Sequence, residues 1–119
     1  GTVVEYGDRA QAFISGTASI DNKGRVVHVG DIVRQTHRMW ENVDALLAEA
    51  DMNLTDHAAQ ITVYLRDTAD YVTVRDLFSA RFPHVPTIIT LAPVCRPEWL
   101  IEMECIAVAD RHNETYRPF

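Results

Sequence analysis

The sequence is poor in lysine, and this shortage argues against one class of partner. Lys23 is the only lysine in 119 residues, the ten arginines are scattered along the chain, and the net charge is −6. Proteins that hold a phosphate backbone use clustered Lys and Arg, so nucleic acid is not expected as a partner. Long apolar runs are also missing. None approaches the roughly 20 residues that cross a bilayer, so no membrane partner is expected.

Cysteines are few as well. Cys95 and Cys105 stand ten positions apart, neither as a CxxC pair nor within a ligand cluster, which favours a reduced, cytoplasmic protein. No basic segment followed by an apolar stretch opens the chain, so no secretion signal is predicted. The first residue is Gly1, which leaves open an artificial start or a domain of a longer protein. The length and an ordinary composition predict a single domain over residues 1–119.

Local patterns predict a hairpin followed by a long helix. The stretch "TVVEYGDRAQAFISG" has apolar residues on both sides of a Gly7-Asp8 turn, which is typical of two antiparallel strands. Residues 17–30 carry turn chemistry and are predicted to form a loop. Over residues 31–50 apolar side chains recur at three- and four-residue steps, and Asp31 is a suitable N-cap. This segment is therefore predicted to be an amphipathic helix.

The second half of the chain alternates strand and helix again. The stretch "AQITVYLRD" places Ile61, Val63 and Leu65 on one face of a strand, and "DYVTVRDLFSARF" predicts a second amphipathic helix that ends before Pro83. Residues 87–108 predict two strands around a Cys-Arg-Pro loop. The order β-β-α-β-α-β-β predicts an α+β fold with both helices on one face of one sheet. The other face then lacks a cover, which suggests oligomerisation.

The last predicted strand carries two acids. Glu102 and Glu104 are two positions apart and therefore share one face, while Ile101, Met103 and Cys105 belong to the opposite, core-facing side. One reading is a solvated or ion-paired face. The other is that a carboxylate lines a cleft and handles water or a proton. The spacing alone does not favour either reading.

Three weaker patterns each have an ordinary structural explanation beside a functional one. The segment from Ser15 to Thr17 has one glycine and no following lysine, so it is a bend at Gly16 or a place where backbone amides and hydroxyls meet a ligand. Cys95 precedes Arg96, and a neighbouring cation favours a reactive thiolate, although most cysteines are small buried hydrophobes. The five histidines show no spacing typical of metal ligands.

Four stretches together resemble one family. "FISGTASID", "QTHRMWENVDALLAEADMNLTD", "ITVYLRDTADYVTVRDLF" and "LIEMECIAV" are similar, in this order, to the RidA/YjgF family, also called L-PSP endoribonuclease-like. The resemblance implies a chorismate-mutase-like α+β fold and a homotrimer with clefts at the subunit interfaces. It also implies hydrolysis of reactive enamines and imines to 2-keto acids and ammonia, without a cofactor. A ribonuclease function follows only from the family's label, and the charge of −6 argues against it.

The resemblance also implies which residues line the clefts. Glu102 matches the family's cleft glutamate, and Gly16 matches the glycine after its strand. The arginine that grips the substrate carboxylate falls at Thr87, fifteen positions before Glu102, and a hydroxyl does not replace a guanidinium fork. Arg96 is a candidate to approach the cleft from another direction. The predicted catalytic residue is Glu102, no metal is predicted, and the predicted ligand-binding residues are Ser15, Gly16, Thr17, Thr87, Ile89, Cys95 and Arg96.

A narrower resemblance points to a longer enzyme. "FISGTASI" and "CRPEWLIEMEC" are similar to chorismatases, whose C-terminal part has the same trimer-forming fold and which act on chorismate with an acidic proton donor. This resemblance leaves two further alternatives open. The chain is the C-terminal domain of such an enzyme, or it is a non-catalytic domain that binds a ligand or forms a trimer.

Overall fold

The computed structural model describes residues 1–118. It contains five strands, three helices and one 3₁₀ turn. In chain order these elements are β1 (Thr2–Glu5), β2 (Arg9–Thr17), α1 (Ile32–Ala48), α2 (Leu54–His57), β3 (Ala58–Leu65), the 3₁₀ turn (Thr68–Asp70), α3 (Tyr71–Arg81), β4 (Thr87–Leu91) and β5 (Ile101–Asp110). Within the described residues, no helix is long and apolar enough to cross a membrane.

The five strands form one sheet in the order β1-β2-β5-β3-β4. All neighbours are antiparallel except β3 and β4, which run parallel. A parallel pair needs a crossover, and α3 provides it. α1 connects β2 to β3 and leaves a gap between them, which β5 fills. The predicted α+β fold with one sheet is thereby confirmed.

The core lies between the helices and one face of this sheet. The alternation predicted for β3 is confirmed, because Ile61, Val63 and Leu65 are buried. Residues 101, 103 and 105 of β5 are buried on the same face. The opposite face, called the open face below, carries exposed apolar side chains. Phe13 is 39% exposed there and Ile88 is 61% exposed. The uncovered face is therefore present, while the oligomer predicted to cover it stays a prediction.

The long helix begins where the sequence predicts. Asp31 caps α1 by accepting a hydrogen bond from the backbone N–H of Arg34 at 3.0 Å. The short α2 was not predicted, because four residues are too few to show a periodicity. It is held by neighbours instead. Asn53 caps it through Oδ1, and Asp44 of α1 accepts from the N–H of Leu54 at 2.8 Å.

Candidate functional site

Glu102 is a nearly buried carboxylate on the open face of β5. The residue is only 8% exposed, and Glu102 is the only buried acid in the described part of the chain. One oxygen, Oε2, accepts a hydrogen bond from the backbone N–H of Cys95 at 3.3 Å. The other, Oε1, faces Gly16, where a Cβ would lie 3.4 Å away. The absence of a side chain at Gly16 therefore keeps space beside Oε1.

A β-bulge shapes the strand next to this carboxylate. In the β2–β5 pairing Ile14 lies opposite Cys105 and Thr17 lies opposite Met103, so Ser15 and Gly16 share a single opposing residue. A bulge leaves backbone groups unpaired and changes the direction of nearby side chains, and such bulges are common beside active sites. β1 covers β2 only as far as residue 13. The predicted segment 15–17 thus forms an open, irregular strand edge beside the carboxylate.

The second acid of β5 has a different environment. Glu104 is exposed, and its Oε1 accepts a hydrogen bond from the Tyr64 hydroxyl at 2.5 Å. This hydrogen bond raises the pKa of Tyr64, and burial and the charges of Glu104 and Glu102 raise it further. Because Tyr64 lies directly opposite Glu102 in the β3–β5 pairing, the two acids and the phenol share the open face, as the spacing predicts.

The loop before β5 holds Cys95 and Arg96. Cys95 is exposed with a free thiol, and its backbone rather than its sulfur contacts Glu102. Arg96 donates from Nη1 to the carbonyl of Gly24 at 2.6 Å, and its guanidinium lies 5.1 Å from the centroid of the Trp99 ring. Arg96 therefore connects its loop to the turn at residues 21–25.

Gln35 fixes this loop, and sequence reasoning missed it. The side chain is fully buried on α1. Its Nε2 donates to the carbonyls of His28 at 3.2 Å and Glu98 at 3.0 Å, and its Oε1 accepts from the N–H of Leu100 at 2.9 Å. A buried amide that satisfies three backbone groups holds the chain just before Glu102. The sequence signal that could have identified Gln35 is a polar residue within the apolar stripe of a predicted helix.

Thr87 and Ile89 lie apart from Glu102. In the parallel β3–β4 pairing Thr87 is opposite Ile61 and Ile89 is opposite Val63, so both side chains face the helices. Glu102 is on the open face. The two residues line a groove of about 460 Å³ between α3 and β4. A single chain therefore does not join all the predicted site residues in one cleft. Counting fifteen positions back from Glu102 identified Thr87, but it did not show on which face of the sheet the side chain lies.

Sequence similarity identifies the family. The family model described as Endoribonuclease L-PSP matches residues 3–109, which is most of the chain. The 3-aminoacrylate deaminase RutC of Acinetobacter baylyi is 31% identical over 97 residues, which cover 80% of this chain and 76% of that protein. Either match is extensive enough to establish common family membership.

Solved structures share the fold. RidA from the Antarctic bacterium Psychrobacter superposes with a TM-score of 0.71 at 19% identity, over 88% of this chain and 84% of that chain. A chorismatase superposes with a TM-score of 0.71 at 27% identity, over 82% of this chain but only 32% of the chorismatase. The narrower resemblance thus extends to the fold of one part of that enzyme. The chain belongs to the RidA/YjgF family, whose family model is described as Endoribonuclease L-PSP.

Proposed function

We propose that this protein hydrolyses a small carboxylate-bearing enamine or imine to an oxo acid and ammonia, with Glu102 as the catalytic residue. The observation that carries the proposal is the nearly buried carboxylate beside a glycine bulge. Its Oε2 is fixed by the N–H of Cys95, and its Oε1 faces the space at Gly16. A carboxylate held in this way is suited to accept a proton from a water molecule at a fixed position.

The reaction requires only water and proton transfer. The enamine first takes its imine form, and the oxygen of water then adds to the imine carbon while Glu102 accepts the water's proton. The carboxylic acid returns that proton to the nitrogen, which gives a carbinolamine. Glu102 then accepts the proton of the new hydroxyl group and passes it to the amine nitrogen, so that the carbon–nitrogen bond breaks and ammonia leaves as the carbonyl forms. Atoms and electrons balance without an oxidant or reductant, so the proposal includes no cofactor. The name of the relative from Acinetobacter baylyi, a 3-aminoacrylate deaminase, supports this reaction class.

The complete site is proposed to need two copies of the chain. Glu102 and the bulge at Gly16 lie on or beside the open face, whereas the groove at Thr87 lies on the helix-covered side. In the proposed homotrimer, the edge strand β4 of one copy, which borders the groove, lies beside the carboxylate on the open face of the next copy. The exposed apolar side chains of Phe13 and Ile88 support burial of this face. Light scattering is expected to give a trimer, and a monomer at working concentration would contradict this assembly.

The proposed partner is a small metabolite, and the proposed compartment is the cytoplasm. The two described cysteines carry free thiols, which suits a reducing compartment. The net charge of −6 argues against a nucleic-acid partner. A membrane partner forms no part of the proposal.

Ammonia release from freshly generated enamines tests the reaction. 2-Aminoacrylate and 3-aminoacrylate are formed enzymatically in the assay, and the rate above the spontaneous hydrolysis is measured. Glu102→Gln is expected to lower turnover by about 10²-fold or more, the usual contribution of a positioned acid–base group. Glu104→Gln is the matched control on the same strand face and is expected to stay active. Wild-type protein that accelerates neither reaction would contradict the hydrolase proposal.

The second candidate is a non-catalytic ligand-binding or trimerising domain, including the C-terminal part of a chorismatase-like enzyme. Thr87 favours it, because the resemblance leads one to expect an arginine there. The superposition on only 32% of the chorismatase supports it as well. Thermal stabilisation by chorismate or a keto acid, without turnover of any enamine, would favour this candidate over the hydrolase.

A further inference from the structure

A groove between α3 and β4 combines one cation with aromatic and aliphatic side chains in its lining. It measures about 460 Å³ and is lined by Tyr71, Arg75, Phe78, Ser79, Phe82, Pro83, Val85, Thr87 and Ile89. Arg75 supplies the one formal charge among these lining residues. A groove with a single positive charge and no acid in its lining suits a small anion with an apolar or uncharged remainder.

Arg75 lines the same groove as Thr87, the residue that departs from the family's pattern. Thr87 occupies the position at which the family resemblance leads one to expect a carboxylate-binding arginine. Its hydroxyl is already used, since Oγ1 donates to the carbonyl of Val85 at 3.0 Å. Arg75 reaches the groove from α3 instead of β4. The groove thus contains a guanidinium even though the strand position has lost one.

The present contacts of Arg75 leave it available to a ligand. Nε and Nη2 donate to the same oxygen of Asp76, at 3.2 and 3.1 Å, and the two side chains are 50% and 66% exposed. An ion pair this exposed contributes little to stability, so a ligand carboxylate can replace it at small cost. Two parallel hydrogen bonds to both oxygens of a ligand carboxylate are also better geometry than two bonds to one oxygen.

We propose that Arg75 binds the carboxylate of the ligand in this groove and takes the role of the arginine that the family resemblance leads one to expect at position 87. The ligand class is a small monocarboxylate whose short uncharged remainder lies against Ile89 and the aromatic side chains of the groove. The inference rests on the proposed function, because it assigns the carboxylate-binding part of the same site. Binding, however, is measurable without turnover.

Calorimetric titration with 2-oxobutyrate, a product-like keto acid that is not hydrolysed, tests the assignment. Arg75→Gln is expected to weaken binding about tenfold or more, as expected for loss of hydrogen bonds to a charged group. Arg34→Gln is the matched control, because Arg34 is also an exposed helical arginine paired with a nearby aspartate. It is expected to bind as the wild type does. Asp76→Asn removes the competing carboxylate and is expected to tighten binding.

A relocated arginine distinguishes a binding role from a structural one. The double variant Arg75→Gln/Thr87→Arg returns a guanidinium to the groove from β4 and is expected to recover most of the lost affinity. A merely structural role of Arg75 would not give this rescue. Wild-type affinity in Arg75→Gln, or loss of binding in Arg96→Gln alone, would overturn the inference. Absence of wild-type binding at millimolar 2-oxobutyrate would overturn it too.

The two proposals fail in different ways. If 2-oxobutyrate binding depends on Arg75 but no enamine is hydrolysed, the groove assignment stands and the hydrolase proposal falls. If enamines are hydrolysed and Arg75→Gln keeps the wild-type KM and kcat, the hydrolase proposal stands and the groove assignment falls.

Discussion

Gly16 lies beside the carboxylate of Glu102 in the proposed site, so its replacement by alanine tests that site most directly. A Cβ at Gly16 would have Oε1 of Glu102 as its one non-adjacent neighbour within 4 Å, at 3.4 Å. That distance is ordinary van der Waals contact. The glycines with positive φ are Gly24 and Gly30, so Gly16 adopts a backbone conformation that alanine also adopts. Alanine therefore fits without a backbone change.

Gly16→Ala is expected to lower turnover without lowering stability. Replacing a glycine at a compatible position lowers the entropy of the unfolded chain and stabilises by about 0.4–1 kcal/mol. The free energy of unfolding is therefore expected to stay the same or rise by up to about 1 kcal/mol. The new methyl group occupies the space beside Oε1 where the reacting water is proposed to lie. A misplacement of about 1 Å at a reacting centre costs about 10²-fold, so turnover is expected to fall by roughly 10- to 100-fold.

Urea unfolding and the ammonia-release assay measure these two quantities on the same preparations. Gly30→Ala is the matched control, because Gly30 has a φ of +77° and no heavy atom within 4 Å of an added Cβ. It is expected to lose about 1 kcal/mol of stability and to keep its turnover. Wild-type turnover in Gly16→Ala would refute the use of the space beside Oε1. A destabilisation above about 1 kcal/mol would refute the reasoning about the backbone.

Two further predictions concern the loop before β5 and the cysteines. Gln35→Leu leaves the N–H of Leu100 and two carbonyls without their buried partner, and it is expected to lower the free energy of unfolding in urea by about 2–4 kcal/mol. A cost below about 1 kcal/mol would contradict the role of Gln35 in holding the loop before β5. Burial, and secondarily the charge of Asp44, raise the pKa of Cys105 to about 11, so about 0.1% of it is thiolate at pH 8. A disulfide reagent at pH 8 is therefore expected to label only the exposed Cys95 in the native protein and both thiols after unfolding. Rapid labelling of both native thiols would contradict this expectation.

Features with a strong local period were predictable from the sequence. The Asp31 cap and the apolar stripe predicted α1, and the alternation around Val63 predicted β3 and its buried face. The shared face of Glu102 and Glu104 followed from the same two-residue period. In each case the information lies within one continuous segment of the chain, and tertiary packing agrees with it.

Features that depend on distant pairing were not predictable. The bulge at Gly16 exists because β2 shifts its register against β5, a strand that lies far away in the sequence. The hydrogen bond from the N–H of Cys95 to Glu102 depends on a loop whose course is set by the buried Gln35. The face of Thr87 depends on how β4 aligns with β3. A one-residue shift in that register would have turned Thr87 to the open face.

The separation of Glu102 from the Arg75 groove changes what the missing arginine implies. Loss of a guanidinium at Thr87 would weaken the case for any carboxylate substrate if no other cation lined that groove. Arg75 lines it, so the charge requirement can be met from α3 while β4 keeps only a hydroxyl. Because the groove and Glu102 lie on opposite faces of one sheet, the proposed carboxylate binding needs one copy of the chain, whereas the proposed hydrolysis needs two. The two proposals are therefore separable, and the absence of an arginine at position 87 bears only on the proposed carboxylate binding.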